Sequence, residues 1–285
     1  MTTQSIDPVT AEPFGPVLPD TAPAELDRLL AAAAKLGELP VEPRVRLLRA
    51  VADRLDAEVE SLVRLAAAES ALSPAVLTAE LARTTFQLRQ FADRAAAGSY
   101  LGVRVDRASA APLPAGHPDL RRMLVPIGPV AIFGASNFPF AFGVAGGDTA
   151  AALAAGCPVL VKAHPAHPQL SAALAELISQ EAAACELPRG SFALVRGMAP
   201  ARSLVIDHRT RAGAFTGSAA GGRALFDLAV SRPDPIPFFA ELGSVNPVFV
   251  TPAGAADPDA LARGWVDSLL VRAGQMCTNP GLLVV

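Results

Sequence analysis

Residues Gly128–Lys162 have the sequence GPVAIFGASNFPFAFGVAGGDTAAALAAGCPVLVK, and this stretch decides the fold. It opens with a short apolar run that ends in glycine. An alanine-rich segment over residues 146–155 follows, and a second apolar run leads to Lys162. The pattern predicts two buried strands joined by a helix. A strand, a helix and a strand at this spacing are typical of parallel pairing, because the helix returns the chain to the edge of the sheet where the first strand began.

The same alternation continues toward the end of the chain. A helix is predicted over residues 169–184, and another in GGRALFDLAVSR. Further strands are predicted in GSFALVRG, AGAFTGS, PFFAELG and NPVFV. This order predicts the α/β class, with a doubly wound, Rossmann-like parallel sheet covered by helices on both faces.

The first part of the chain follows other patterns. Leucines and valines recur at three- and four-residue spacing from Ala24 to about Gly98, which predicts helices. The first twenty or so residues show no such pattern, and we expect them to lack packed structure. SYLGVRVDRASAAPLPAGHPDLRRMLVPIG alternates apolar and polar residues between prolines, which predicts a hairpin. The predicted organisation is a helical part of the nucleotide-binding domain (1–97), a strand-rich excursion (98–125), a Rossmann-like core (126–243) and a final segment (244–285).

Composition and charge argue against several classes of function. The formal net charge of −3 gives no electrostatic reason to expect nucleic acid or an anionic membrane as a partner. We expect no membrane span and no signal peptide, because long uninterrupted apolar runs and a basic start are missing. Cys157, Cys185 and Cys277 are widely spaced and form no metal motif, so we expect no metal, no disulfide and a reducing cytoplasm. Cys157 and Cys185 are expected to be small core residues.

Three residues are candidates for catalysis. Cys277 lies in AGQMCTNPG, a loop of small residues in which a thiolate can approach a carbonyl carbon. Glu241 follows the apolar PFFA, so we expect a partly desolvated carboxylate with a raised pKa, either a general base or a structural group. Asn137 follows the first strand of the predicted sheet and either donates to an oxyanion or caps its own turn.

Other residues are candidates for binding. Lys162 is predicted at the carboxyl end of a strand, where ligands collect in parallel sheets, although an ordinary lysine also fits there. In AFTGSAAGGRALF, Gly217 and Ser218 lie between a strand and a helix, where free N–H groups can receive a phosphate. The alternative is a turn that needs glycine only for backbone freedom. His164 and His167 have no partner at metal spacing and are expected to be loop residues.

Taken together, FTGSAAGG, AELGS and GQMCTNPG resemble, in this order, the cofactor turn, general-base strand and nucleophile loop of the aldehyde dehydrogenase superfamily. The resemblance extends from about Ala24 to the last residue. Within the superfamily the sequence is most similar to the α-ketoglutarate semialdehyde (2,5-dioxovalerate) dehydrogenase branch. This implies oxidation of that aldehyde to the carboxylic acid with NAD(P)+. The alternatives are an NADP-dependent fatty-aldehyde dehydrogenase and, from a different class, a nucleotide-binding fragment without turnover.

The resemblance also implies a role for each candidate. Cys277 would form a thiohemiacetal and then a thioester, Asn137 and the Cys277 N–H would hold the oxyanion, and Glu241 would activate water. Lys162 would hold the adenosine ribose, and Ser218, after Gly217, would contact the pyrophosphate. The implied cofactor-binding set is Phe133, Gly134, Lys162, His164, Gly217 and Ser218.

One departure from the family pattern concerns the cofactor. NAD-preferring members tend to carry a glutamate three residues after the lysine, where this sequence has Pro165. Without that carboxylate a 2′-phosphate meets no repulsion, so we expect NADP to be favoured over NAD. When it is protonated, His164 is expected to assist.

Another departure concerns length. Family members continue well beyond the nucleophile loop, whereas this sequence stops four residues after Gly281. We therefore expect residues 244–285 to be only the start of a catalytic domain. The resemblance also implies a homo-oligomer for a full-length member, with residues 98–125 contributing to oligomerisation.

Overall fold

The computed structural model describes residues 1–112 and 114–285, which include a parallel sheet between two layers of helices. The helices are α1 (Pro23–Ala34), α2 (Val41–Ala57), α3 (Val59–Ser70), α4 (Pro74–Ala97), α5 (Gly147–Ala154), α6 (Pro168–Ala184), α7 (Met198–Ile206), α8 (Ala219–Val230) and α9 (Pro258–Leu269). The strands are β1 (Thr2–Ile6), β2 (Pro13–Pro19), β3 (Arg104–Asp106), β4 (Leu120–Arg122), β5 (Val130–Phe133), β6 (Val159–Lys162), β7 (Phe192–Val195), β8 (Ala212–Thr216), β9 (Phe238–Glu241), β10 (Pro247–Phe249) and β11 (Leu282–Val284). Within the described ranges, every helix is too short or too polar to cross a membrane.

The main sheet confirms the predicted α/β class. Its strand order is β7-β6-β5-β8-β9, and all neighbouring strands are parallel. The chain builds outward from β5 through β6 to β7, then crosses back and adds β8 and β9 on the other side. Every residue of β5 and β6 is buried, as expected for strands covered on both faces. The order reverses at β5, and a reversal of this kind opens a crevice at the carboxyl ends of the strands.

The register of the sheet aligns those carboxyl ends. Phe133 pairs with Lys162 on one side and with Phe215 on the other. Lys162 in turn pairs with Val195, and Thr216 pairs with Glu241. The last residues of the strands therefore lie side by side along one edge of the sheet.

Alternating residues of the central strands face two separate hydrophobic clusters. Val130 and Ile132 pack against helices α2 to α6, whereas Ala131 and Phe133 pack against α1, α7 and α8. This alternation follows from the two-residue period of a strand. Cys157 and Cys185 are both buried in the first cluster, which confirms the expectation that they are core residues.

The first twenty residues are structured, so the expectation that they lack packed structure is wrong. Strands β1 and β2 form an antiparallel pair. Ser5 is buried, its hydroxyl bonds the Glu69 carboxylate, and Gln169 Nε2 donates to Ser5 Oγ at 2.8 Å. The stretch has little apolar pattern because polar contacts with α3 and α6 hold it, and a sequence pattern does not show such contacts.

The excursion at residues 98–125 contains the predicted hairpin. Strand β3 pairs antiparallel with β4. All residues of both strands are exposed, and so are the neighbouring apolar side chains Val103, Leu124 and Val125.

Helices α7 and α9 are additions to the predicted alternation. Pro200 lies in the first turn of α7, where proline is compatible with a helix, and this masked the helical pattern. Helix α9 has no fully buried residue and connects β10 to the loop of Cys277.

A buried carboxylate ties α3 to the start of α6. Glu69 accepts hydrogen bonds from the N–H groups of Gln169 and Leu170, each at 2.9 Å. These N–H groups lie in the first turn of α6 and therefore have no partner within their own helix. The negative charge also faces the positive end of the helix dipole.

We expect Glu69→Ala to lower the free energy of unfolding by on the order of 3 kcal/mol, because it leaves donors at a helix start unsatisfied. The measurement is urea unfolding with linear extrapolation. Glu60→Ala is the matched control on the same helix: its exposed carboxylate pairs with Arg64 at 3.3 Å, and the expected change is within about 0.5 kcal/mol. Equal losses in the two variants would contradict the capping role of Glu69.

Candidate active site

A cleft of about 890 Å³ lies at the carboxyl edge of the main sheet, beside the reversal at β5. All nine residues predicted for catalysis or cofactor binding line it. They are Phe133, Gly134, Asn137, Lys162, His164, Gly217, Ser218, Glu241 and Cys277. The sequence therefore identified residues that are far apart in the chain but share one cavity.

The loop of Cys277 is held by hydrogen bonds to its backbone. The carbonyl of Cys277 accepts from Ser244 Oγ and from Asn246 Nδ2, both at 2.6 Å. Asn279 Nδ2 donates to the carbonyls of Leu269 and Val271, both at 2.9 Å. The Cys277 side chain is exposed at the cleft. The thiol is thus accessible on a loop whose backbone is fixed.

Asn137 bridges to the Cys277 loop. Its Nδ2 donates to the carbonyl of Gln275 at 2.6 Å. This contact differs from the alternative in which Asn137 caps its own turn. An amide nitrogen carries two protons, so one N–H engages Gln275 and the other is available to a ligand.

Glu241 lines the cleft, but the expected desolvation of its carboxylate is wrong for this structure. The residue is exposed, as is its neighbour Phe239, of which 68% is accessible. The reason is topological: among the residues that the structure describes, β9 is the edge strand of the main sheet and pairs only with β8. The apolar segment PFFA therefore leads into an edge strand rather than a buried strand.

Lys162 is buried at the end of β6, with 8% of the residue accessible. Burial lowers its pKa, and the negative charge of Asp20 partly opposes that change. An ammonium group that has lost much of its hydration interacts strongly with an anionic or hydroxylated ligand entering the cleft.

The protonated form of His164 is disfavoured, so assistance from its positive charge is not expected in this structure. Burial lowers its pKa to about 3, with further contributions from His167 and Lys162. The rings of His164 and His167 stack with centroids 5.2 Å apart. The Nδ1 of His164 accepts the N–H of Ala166 at 3.1 Å, so in the neutral ring the Nε2 carries the proton.

His167 is a loop residue, as expected, and its side chain is buried. It immediately precedes α6, its Nε2 lies 2.9 Å from the carbonyl of Ala135, and its Nδ1 lies 3.2 Å from Ser171 Oγ; the latter contact is made within the first turn of α6. His167 thus links the loop after β5 to the start of α6.

The turn from β8 into α8 is a close-packed helix start. Ser218 caps α8, and its Oγ accepts the N–H of Gly221 at 3.2 Å. A Cβ on Gly222 would lie 2.3 Å from a methyl carbon of Leu242, and one on Gly217 would lie 2.8 Å from the Phe215 ring. A larger residue at either position would therefore require Leu242 or Phe215 to move. The remaining N–H groups of this turn are available to an anion.

Several residues at the site were missed by the sequence analysis. Ser244 and Asn279 lie inside the AELGS and AGQMCTNPG motifs, but the sequence carries no signal for their bonds to backbone carbonyls. Arg202 and Asp148 line the cleft, and burial raises the pKa of Asp148. In the ranges that the structure describes, no group of histidine, cysteine or acidic residues could hold a metal ion.

Comparison with known proteins matches the chain to the aldehyde dehydrogenase family over residues 1–285. It is 44% identical over 293 residues to α-ketoglutaric semialdehyde dehydrogenase 2 of Azospirillum brasilense, a match that covers 99% of this chain and 55% of the relative. It is 39% identical over 288 residues to α-ketoglutaric semialdehyde dehydrogenase of Acinetobacter baylyi, with the same two shares.

A solved structure has the same fold. The crystal structure of an NAD-dependent aldehyde dehydrogenase from Sinorhizobium meliloti matches with a TM-score of 0.79 and 26% identity, over 99% of this chain and 54% of that one. The chain thus spans about half the length of the relatives it matches.

The three free cysteines allow a test of the site on this chain alone. Cys277 is exposed, whereas Cys157 and Cys185 are buried. We expect iodoacetamide to modify Cys277 rapidly in the folded protein and all three thiols in denaturant, because only an accessible thiolate reacts. Mass spectrometry of digests measures this, with Cys277→Ser as control. Equally rapid labelling of Cys157 or Cys185 in the folded protein would contradict the described site.

Proposed function

Since this chain belongs to the aldehyde dehydrogenase family, we propose that it supplies the nucleophile, the base and the dinucleotide site of an enzyme that oxidises an aldehyde to a carboxylic acid. The observation that carries this proposal is the cleft, where Cys277, Glu241 and Asn137 meet the residues predicted to bind the cofactor. The proposed substrate is α-ketoglutarate semialdehyde (2,5-dioxovalerate). The names of the Azospirillum and Acinetobacter relatives support that choice.

The chemistry assigned to the chain begins at Cys277. Its thiolate adds to the aldehyde carbon, and the carbonyl oxygen becomes an oxyanion that accepts hydrogen bonds from Asn137 and the Cys277 N–H. When bound, the dinucleotide supplies the acceptor for the hydride that leaves this carbon. Glu241 then takes a proton from the water that hydrolyses the thioester on Cys277, and the carboxylic acid departs.

The shape and charge of the cleft suit a dinucleotide. The start of α8 offers the N–H group of Ser218, where a pyrophosphate would be held beside Gly217, whose own N–H donates to the carbonyl of Glu241 at 3.0 Å. Phe133 ends β5 and pairs with Lys162 of β6, and Gly134 follows Phe133. Lys162 would hold the adenosine ribose.

We propose that the chain binds NADP at least as tightly as NAD, because of the residues at the Lys162 end of the cleft. Pro165 is exposed and lines the cleft where a carboxylate would repel a 2′-phosphate. Arg202 of α7 lines the same cleft, and α7 follows β7, the strand paired with β6. Neutral His164 offers its Nε2–H as a donor instead of a positive charge.

The exposed β3–β4 hairpin supports a proposal of self-association. Its unpaired strand edges and the apolar Val103, Leu124 and Val125 form a surface suited to a second copy of the chain. We propose a homo-oligomer built through this hairpin. Three free thiols suit a reducing cytoplasm, the location we propose.

The role of Glu241 is testable in an extended protein, defined as this chain followed by the part of the Azospirillum relative beyond the matched region. Glu241→Gln keeps the shape of the side chain but removes the base, so steady turnover should fall by roughly 10²–10⁴-fold. A rapid burst of reduced cofactor, followed by stopped-flow absorbance, should remain. Glu42→Gln, at an exposed carboxylate of α2, is the control. Normal turnover in Glu241→Gln would remove the residue from the mechanism.

Cofactor preference is testable on this chain by calorimetry with NAD and NADP. Pro165→Glu should shift preference toward NAD, because a carboxylate accepts from ribose hydroxyls and repels a 2′-phosphate. Lys162→Ala should weaken both cofactors and NADP more, since a charge-assisted hydrogen bond is worth roughly 1.5–3 kcal/mol. Ala166→Glu, at the next exposed position, is the control for added charge. No change from Pro165→Glu, with equal losses from Lys162→Ala, would place the ribose elsewhere.

A further inference from the structure

A buried ion pair joins helix α4 to the loop that carries Cys277. Arg272 Nη2 lies 2.5 Å from Glu80 Oε2, and the two side chains are 8% and 1% accessible. Glu80 occupies the apolar face of α4 between Leu77 and Leu81, and Arg272 lies five residues before Cys277. A charge pair this deep is stabilised by further hydrogen bonds to its two side chains. Among the described residues, only the Nε of Arg272 in this pair is buried without a hydrogen-bond partner.

Those further bonds all reach the loop after β5. Glu80 Oε1 accepts the N–H groups of Phe140 and Ala141 at 2.8 and 2.9 Å. Arg272 Nη2 donates to the carbonyl of Asn137 at 2.7 Å. The guanidinium also lies over the ring of Phe138, with Cζ 3.9 Å from the ring centroid. Both side chains of the Glu80–Arg272 pair therefore contact residues 137–141.

Arg272 makes these contacts from an unfavourable backbone conformation. Its φ is 54°, in the left-handed region that L residues rarely adopt. A non-glycine residue persists there when surrounding contacts determine its position. The bonds to Glu80 and Asn137 are such contacts.

The result is that two loops of the cleft are joined at two points. The side chain of Asn137 donates to the carbonyl of Gln275 in the Cys277 loop. The backbone carbonyl of Asn137 accepts from Arg272, which precedes that loop. We propose that Glu80 and Arg272 are positioning residues, which fix the Asn137 amide relative to the Cys277 thiol so that both act on one carbonyl group. This inference rests on the proposed function, because it requires Asn137 to be the oxyanion donor.

Two electrophiles separate positioning from mere stability on this chain. The Cys277 thiolate attacks the ester carbon of p-nitrophenyl acetate through an oxyanion, forming a C–S bond as the C–O bond breaks and p-nitrophenolate leaves with the electron pair. Iodoacetamide reacts with the same thiolate by displacement of iodide, without an oxyanion. The ratio of the two rate constants thus reports the oxyanion donor and cancels changes in thiol exposure.

We expect Arg272→Gln to lower this ratio by about tenfold or more, in the direction of a lost oxyanion donor. Asn137→Ala should lower the ratio as well. Adding Arg272→Gln to Asn137→Ala should lower the ratio by less than about threefold further, because the effects of residues that act as a unit are not additive. Arg89→Gln, which breaks an exposed ion pair on the same helix, is the control and should leave the ratio unchanged. Cys277→Ser sets the background rate.

If Arg272→Gln unfolds the protein, the double variant Glu80→Gln with Arg272→Met removes both charges together and avoids a lone buried carboxylate. A fall in its ratio supports the inference, and an unchanged ratio overturns it. A fall in Asn137→Ala without a fall in the Arg272 variants also overturns the inference while sparing the proposed function. An unchanged ratio in Asn137→Ala instead contradicts the oxyanion role on which the proposed function depends.

Discussion

The parallel register around β5 is the constraint on which the rest of the site depends. Phe133, Lys162 and Phe215 lie in one row across β6, β5 and β8, and Glu241 ends β9 beside Thr216. Because the strand order reverses at β5, the loops leaving this edge diverge and leave a cleft. A shift of β6 or β8 by one residue would turn alternate side chains to the opposite face and take Lys162 or the start of α8 out of the cleft.

Two buried glutamates connect the helical layer to backbone N–H groups outside their own helices. Glu69 of α3 accepts N–H groups at the start of α6, and Glu80 of α4 accepts those of Phe140 and Ala141. In both cases a carboxylate on an apolar helix face takes the place of a backbone acceptor. Such groups are tolerated in the core because each carboxylate oxygen meets at least one donor. They connect the helices to the backbone on either side of the cleft.

Much of this arrangement could be predicted from the sequence, for a physical reason. Buried parallel strands such as VAIF and VLVK are short and strongly apolar, so the sequence predicts their positions and their carboxyl ends. The predictions that were wrong concern properties set by residues that are distant in the sequence. The exposure of Glu241 follows from the edge position of β9, and the neutrality of His164 follows from burial beside His167 and Lys162. Glu80 did leave a signal, a charge in the apolar phase of α4, but its partner lies 192 residues away. The roles of the cleft residues stay predictions.

In the proposed function, Cys277 and the dinucleotide cleft act on one aldehyde. Its most direct test is acid quenching of the extended protein during turnover of 2,5-dioxovalerate, followed by mass spectrometry of the peptide that contains Cys277. We expect an acyl group on Cys277 that forms only when the aldehyde and the oxidised dinucleotide are both present. Oxidation of the aldehyde without any acyl group on Cys277, or an acyl group on another residue, would contradict it.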